Sequence, residues 1–86
     1  MSFPVYVSET AARRLKKLPA KLRGQITTGL RVLEEDPLRP RANADIRIVE
    51  GTNPQKYWLR TGDGRAVYAV LNGAVRVIEV FVRGAD

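Results

Sequence analysis

The fold of this chain is decided by residues 56–83, which read KYWLRTGDGRAVYAVLNGAVRVIEVFVR. Apolar and polar residues alternate along this stretch, and two dipeptides typical of tight turns interrupt it, Asp63-Gly64 and Asn72-Gly73. Because such dipeptides supply the positive φ angles that short hairpins require, the pattern predicts antiparallel strands near 55–61, 65–71 and 74–82. The centre of the chain is therefore expected to be a three-stranded meander.

Side chains alternate between the two faces of such a sheet, so the meander has one apolar and one cationic face. The apolar face, which must be covered, carries Tyr57, Leu59, Ala66, Tyr68 and Val70. The opposite face carries Lys56, Trp58, Arg60, Arg65 and Val67.

Two helices precede the meander and can supply the cover. Residues 3–7 alternate as a short edge strand, where Pro4 is tolerated because no ladder donor is needed. Ser8 can cap a helix over 9–17, and a second helix is predicted from residue 20 up to the acidic run before Pro37. The two form an αα-hairpin with one apolar stripe.

The rest of the chain connects these units. Residues 37–45 form a proline-containing loop, and residues 46–50 alternate as another strand. The expected fold is α+β, with an N-terminal αα-hairpin packed on one face of a small, mainly antiparallel sheet. At 86 residues the chain is expected to form a single domain, 1–86.

The composition limits the classes of partner and of chemistry that the protein can use. The net charge is +6 and the isoelectric point about 10.3, which favours a polyanionic partner such as nucleic acid or an acidic protein, although a basic surface can also serve only solubility. The sequence has no cysteine and no histidine, which rules out zinc ligation and histidine-based proton transfer. We expect no metal and no cofactor. Without an apolar run long enough to span a membrane, or a signal peptide, the protein is expected to be cytoplasmic.

Cleavage of RNA without metal needs a proton acceptor for the 2′-hydroxyl and cations for the charge that develops on the phosphate. Lys56 is a candidate acceptor because burial near other cations lowers the pKa of a lysine readily, and Arg65 lies on the same face. Simpler roles compete with these. Lys56 can protect a strand edge, Trp58 can be a packing residue, and Arg60 can pair with Asp63 across the turn.

The order of elements and the run Leu59–Tyr68, LRTGDGRAVY, resemble the RelE/ParE superfamily of toxins. Three other segments are similar to features of this superfamily. They are the junction between the helices at Leu15–Pro19, the acidic helix end before a proline at Leu33–Pro37, and the last strand at Val77–Arg83. The resemblance implies a toxin of a toxin–antitoxin pair that cleaves mRNA on the ribosome without metal, with Lys56, Arg65 and Arg83 as catalytic residues. The RNA-binding candidates are Trp58, Arg60, Arg39, Arg41 and Arg76.

The resemblance also implies a partner, an antitoxin with acidic or helical segments that forms a hetero-oligomer with the toxin. Two alternatives stay open. A ParE-like inhibitor of DNA gyrase would share the fold. Two departures from the best-known RelE enzymes favour it: Trp58 stands where they have a second lysine, and the tyrosine that follows their last arginine is absent after Arg83. A non-catalytic basic module would bind RNA or protein with a steep salt dependence and release no product.

Overall fold

A computed structural model describes residues 2–84 and shows two helices packed against a five-stranded sheet. The elements are β1 (Val5–Val7), α1 (Glu9–Lys17), α2 (Ala20–Leu33), β2 (Asp45–Val49), β3 (Lys56–Thr61), β4 (Gly64–Leu71) and β5 (Ala74–Val82). The strand order is β1-β5-β4-β3-β2, in which β1 is parallel to β5 and the other neighbours are antiparallel. The predicted α+β class and mainly antiparallel sheet are confirmed.

The hairpin between β4 and β5 has the predicted turn. Asn72 and Gly73 are its central residues, with φ angles of 53° and 75°, and Leu71 pairs with Ala74 across them. Two consecutive positive φ angles match the twist of the flanking strands, which is why Asn-Gly sequences favour such turns.

The hairpin between β3 and β4 differs from the prediction by one residue. Thr61 pairs with Gly64, so Gly62 and Asp63 are the central residues, and only Gly62 has a positive φ, 60°. The prediction that Asp63-Gly64 supplies the turn was therefore wrong. Gly64 is needed for another reason, because a Cβ at this position would lie 2.7 Å from Cγ1 of Ile26 on α2.

The helices begin and end where the sequence predicts. The Ser8 hydroxyl accepts a hydrogen bond from Ala11 N at 3.0 Å, which satisfies one free amide at the start of α1. Leu18 and Pro19 have extended backbones that separate the helices. α1 contacts β5, whereas α2 contacts β1, β3 and β4. The αα-hairpin thus covers one face of the sheet, as expected.

The core lies between α2 and the sheet. Its largest fully buried side chains include Ile26, Leu33, Leu59 and Tyr68. The Tyr68 hydroxyl donates a 2.6 Å hydrogen bond to the carbonyl of Pro37, which attaches the loop after α2 to the centre of the sheet. Burial raises the pKa of Tyr68 well above its usual value, so this tyrosine stays protonated in the folded protein.

Two glycines of α2 provide a matched test of this packing. A Cβ on Gly29 would lie 2.8 Å from Cδ2 of the buried Leu59 and 3.2 Å from Cγ2 of Thr61, whereas a Cβ on Gly24 meets no atom within 4 Å. Gly29→Ala is expected to lower the free energy of unfolding by about 1–3 kcal/mol through overpacking. Gly24→Ala is expected to raise it by about 0.5–1 kcal/mol, since alanine favours helix. Urea denaturation of both variants measures the difference. Equal effects would mean that α2 does not approach β3 this closely.

In the part of the chain that the structure describes, residues 2–84, no helix is long and apolar enough to cross a membrane.

Candidate nucleic-acid interface

The sheet face opposite α2, which we call the open face, carries the predicted cations of β3. Leu59 points towards Gly29 on α2, so its neighbours Trp58 and Arg60 point the other way, together with Lys56. All three are half-buried. Strand pairing then places Arg65, which is opposite Arg60, on the same face. The predicted division of the meander into an apolar and a cationic face is confirmed.

Arg65 is buried at the hairpin end of the open face. Arg65 is only 7% exposed, and its Nη1 donates hydrogen bonds of 2.8 Å to the carbonyls of Gly62 and Gly64. These bonds fix the guanidinium against the turn. Among residues 2–84 the only buried side-chain polar atom without a partner is Oε1 of Gln25, so the other donors of Arg65 are not sealed from solvent. Arg65 can therefore hold the turn and still donate outward.

Arg60 does not pair with Asp63 as expected. Its Nη1 lies 3.7 Å from Oδ2 of Asp45, the residue opposite it on β2, and the same carboxylate accepts from Arg47 at 3.2 Å. The prediction was wrong because the register of β2 against β3, which brings Asp45 next to Arg60, is not visible in the sequence. The residue that stabilises the turn is Arg65.

Arg83 lies beside the same turn. Its backbone N–H donates a 2.7 Å hydrogen bond to the carbonyl of Asp63, and its side chain is exposed. Val82 pairs with Gly64, so the end of β5 and the β3–β4 turn are held together. The hairpin end of the open face thus combines Arg60, Arg65 and Arg83.

Lys56 lies at the other end of the open face. It pairs with Ala69, four residues along β4 from Arg65, which corresponds to about 13 Å at the usual rise of a strand. Ala69 also pairs with Arg76 on β5. Lys56 and Arg65 therefore lie at opposite ends of the open face, and the cations nearer to Lys56 in the register are Arg47, diagonal to it on β2, and Arg76, two strands away.

An aromatic pair lies between the two ends. The rings of Trp58 and Phe81 meet edge to face, with centroids 5.4 Å apart, and the register places them on either side of β4. Trp58 is half-buried against Phe81 and is not covered by β1, which lies three strands away at the edge of the sheet. At the β1 edge, Arg76 lies over the ring of Tyr6, 5.1 Å from its centroid.

Arg39 and Arg41 are in the loop between α2 and β2. Arg39 pairs with Asp36 at 3.4 Å and is largely exposed. The Arg41 guanidinium donates to the carbonyls of Val32, Asp36 and Arg39 at 2.9, 2.9 and 2.7 Å. Val32 is in the last turn of α2, so a cation at its carbonyl offsets the helix dipole, and the bonds to Asp36 and Arg39 hold the loop that follows. Arg41 thus has a structural role in this loop, and the RNA contact predicted for it stays a prediction.

We expect Arg41→Gln to lower the free energy of unfolding by about 1–3 kcal/mol, because one carbonyl of the last turn of α2 and two of the following loop lose a charged donor. Arg39→Gln removes the same charge from an exposed side chain and is expected to change stability by less than about 0.5 kcal/mol. Thermal unfolding of both variants tests this difference. Equal stability of the two proteins would show that Arg41 does not close the helix end.

The sequence pattern did not predict several residues of the open face. Arg47 is opposite Trp58, but only the β2–β3 register shows it. Phe81 and Glu79 belong to a nearly continuous apolar strand, in which a β-bulge shifts the pairing between Val67 and Tyr68 and hides the alternation. Arg47, Trp58 and Arg60 also line a shallow groove of about 530 Å³ beside the β2 edge.

Comparisons with known proteins were made at the level of sequence and of structure. No protein-family model matches the sequence, and a search of curated proteins found no match. Solved structures do match. The archaeal RelE–RelB complex from Pyrococcus horikoshii contains a chain with a TM-score of 0.81 and 26% identity, over 100% of both chains. The chain has the fold of the RelE toxins.

Two further structures have the same fold at lower identity. A chain of the RelBE2 toxin–antitoxin complex from Mycobacterium tuberculosis has a TM-score of 0.74 and 22% identity, over 96% of this chain and 100% of that one. A chain of the intact RelBE complex from E. coli has a TM-score of 0.65 and 23% identity, over 99% and 100%. The shared fold therefore extends over nearly the whole chain.

Proposed function

We propose that this RelE-like chain is a ribosome-dependent endoribonuclease that cleaves mRNA without a metal ion, and that its open face is the active site. The observation that carries the proposal is the shared face of Lys56, Trp58, Arg60 and Arg65, which neither helix covers. Cations around an aromatic ring are the combination that grips the phosphates and stacks the bases of single-stranded RNA.

The composition supports chemistry without metal. The sequence has no histidine or cysteine, and residues 2–84 contain no cluster of three carboxylates that could hold an ion. The remaining route is attack of a 2′-hydroxyl on the adjacent phosphate, with the developing charge stabilised by fixed cations. Arg65, held by two carbonyls, is preorganised for that task, and Arg83 at the same end is a second donor.

The interface is too long for one phosphate. Arg60, Arg65 and Arg83 surround the hairpin end, whereas Lys56 and Arg76 flank Ala69 at the opposite end. An RNA strand that crosses the face between these ends passes the Trp58–Phe81 pair, where a base can stack. We propose that the two ends contact successive phosphates of one strand.

The comparisons also support a protein partner. The matched toxins from P. horikoshii, M. tuberculosis and E. coli are all in complexes with an antitoxin. We propose that this chain binds a cognate antitoxin and that an acidic segment of it covers the basic surface. Ordering of such a segment on binding would make inhibition reversible by proteolysis of the partner.

Expression of the chain in cells, alone and together with the neighbouring open reading frame, tests the proposed function. Primer extension on cellular mRNA is expected to show cuts within translated codons when the chain is expressed alone, and fewer cuts with its partner. DNA damage with intact mRNA would instead support gyrase inhibition, which Trp58 in place of a lysine favours. Salt-sensitive RNA binding with neither effect would support a non-catalytic module.

A further inference from the structure

The groove beside the β2 edge of the open face has no role in the proposed contacts with phosphate. Its volume is about 530 Å³, within the range of roughly 300–1,000 Å³ that small-molecule sites commonly have. Trp58 and Ile48, which is 61% exposed, give it apolar surface. The charged side chains that line it are those of Arg47, Glu50 and Arg60. A flat ring with polar groups on its rim, such as a nucleobase, matches this combination.

Asp45 orients the arginines of the groove. Its Oδ1 accepts a 3.2 Å hydrogen bond from Nε of Arg47, and its Oδ2 lies 3.7 Å from Nη1 of Arg60. The side chain of Arg47 is 65% exposed, and within residues 2–84 neither its Nη1 nor its Nη2 makes a hydrogen bond. The guanidinium of Arg47 is thus oriented through Nε, while its two terminal nitrogens can donate side by side to a ligand.

Glu50 supplies hydrogen-bond acceptors to the same groove. It is the residue after β2 and is exposed, and its carboxylate makes no hydrogen bond or ion pair within the described residues 2–84. A carboxylate beside RNA lowers affinity through like-charge repulsion unless it accepts hydrogen bonds from the bound molecule. The groove therefore offers paired donors on Arg47 and paired acceptors on Glu50.

Guanine is the base whose edges match both groups. Its Watson–Crick edge presents two adjacent donors, N1–H and the N2 amino group, which one carboxylate can accept together. Its Hoogsteen edge presents the acceptors O6 and N7, which an arginine binds bidentately. Adenine has an acceptor at N1 that a carboxylate repels, and cytosine and uracil each present only one donor group on the Watson–Crick edge. In single-stranded RNA both edges of a base are open to protein.

We propose that this groove binds one guanine of the RNA, with its ring against Trp58, its O6 and N7 on Arg47, and its N1–H and N2 amino group on Glu50. The inference rests on RNA binding by the open face, which is part of the proposed function, and adds a base preference to it. Arg60 lines the groove and also belongs to the hairpin end, so the recognised base adjoins the phosphate bound there.

Binding of short single-stranded RNAs that differ at one position tests the inference. Uridine heptamers with guanosine, adenosine or cytidine at the centre keep the phosphate contacts constant, so differences in affinity report the base alone. The wild-type chain is expected to bind the guanosine heptamer about 5–150-fold more tightly than the others, the usual discrimination of a bidentate base contact. The adenosine heptamer is the critical comparison, because the two purines have similar stacking surfaces.

Two variants separate base recognition from charge. Glu50→Gln loses the paired acceptors, so the preference for guanosine over adenosine is expected to disappear while the adenosine heptamer binds more tightly. Arg47→Lys keeps the charge and the salt dependence but lacks the planar pair of donors, and should also reduce the preference. Glu35→Gln, an equal charge change at the exposed end of α2, is the control and should keep the wild-type preference.

Equal affinity of the wild-type chain for the guanosine and adenosine heptamers would overturn the inference, and so would a full guanosine preference in Glu50→Gln. Either result leaves the proposed cleavage intact, because primer extension on translated mRNA measures it independently. A guanosine preference without any cleavage of mRNA would refute the proposed function and leave guanine recognition standing. Failure of the wild-type chain to bind any heptamer at low salt would remove the inference.

Discussion

Arg65→Ala is expected to lower the rate of mRNA cleavage by about 10²–10³-fold, the usual cost of removing one preorganised donor from a transition state. Arg65 is the most firmly fixed cation of the open face, since two backbone carbonyls hold its guanidinium at 2.8 Å. Fixed donors need no reorganisation as charge develops on the phosphate. In cells, the same substitution should relieve the growth arrest that we expect the wild-type chain to cause.

The loss of cleavage must be separated from a loss of folding, because Arg65 also stabilises the turn. Arg83→Ala provides that separation, since its exposed side chain can be removed while its backbone bond to Asp63 stays. A similar reduction in cleavage is expected, with little change in the unfolding temperature. Arg31→Ala removes an equal charge from the exposed side of α2 and should leave cleavage unchanged. Full toxicity of both Arg65→Ala and Arg83→Ala would exclude the hairpin end from the active site.

Trp58→Ala is expected to weaken binding of single-stranded RNA by about 5–150-fold, which corresponds to the 1–3 kcal/mol that stacking of one base on an aromatic side chain contributes. The ring is half-buried against Phe81 and lies between the two cationic ends of the open face. Trp58→Phe keeps a stacking surface and should recover most of the affinity.

Salt titration of RNA binding distinguishes this role from a charge effect. Trp58→Ala should lower the affinity by the same factor at every salt concentration, because no phosphate contact is lost. Arg76→Ala should instead reduce the slope of log affinity against log salt by about 0.7 for single-stranded RNA. If Trp58→Ala binds RNA like the wild type, the aromatic pair packs the sheet and does not contact bases.

Local signals in the sequence were sufficient for most of the fold. Ser8, Pro19 and Pro37 delimit the helices, and Asn72-Gly73 and the alternation along β3 indicate the meander. The prediction placed the first turn at Asp63-Gly64 instead of Gly62-Asp63, because a glycine stands on each side of Asp63. The structure shows that Gly62 adopts the positive φ of the turn, whereas Gly64 leaves room for Ile26 on α2. That contact joins residues distant in the sequence, so the sequence pattern does not show it.

The candidate site was less predictable, because it depends on register between strands that are distant in sequence. Alternation alone put Lys56, Arg60 and Arg65 on one face, which the pairing confirms. It could not show that Arg60 meets Asp45, that Arg76 is two strands from Lys56, or that a bulge exposes Glu79. Nor could it show that Arg41 closes α2, since its three carbonyl partners become close only when the loop folds back.

The most direct measurement is primer extension on a defined mRNA in a reconstituted translation reaction, with and without the purified chain. We expect new 3′ ends within the codon in the ribosomal A site, only when ribosomes are present, and far fewer with Arg65→Ala. Intact mRNA at chain concentrations that saturate the ribosome would contradict ribonuclease activity of the open face.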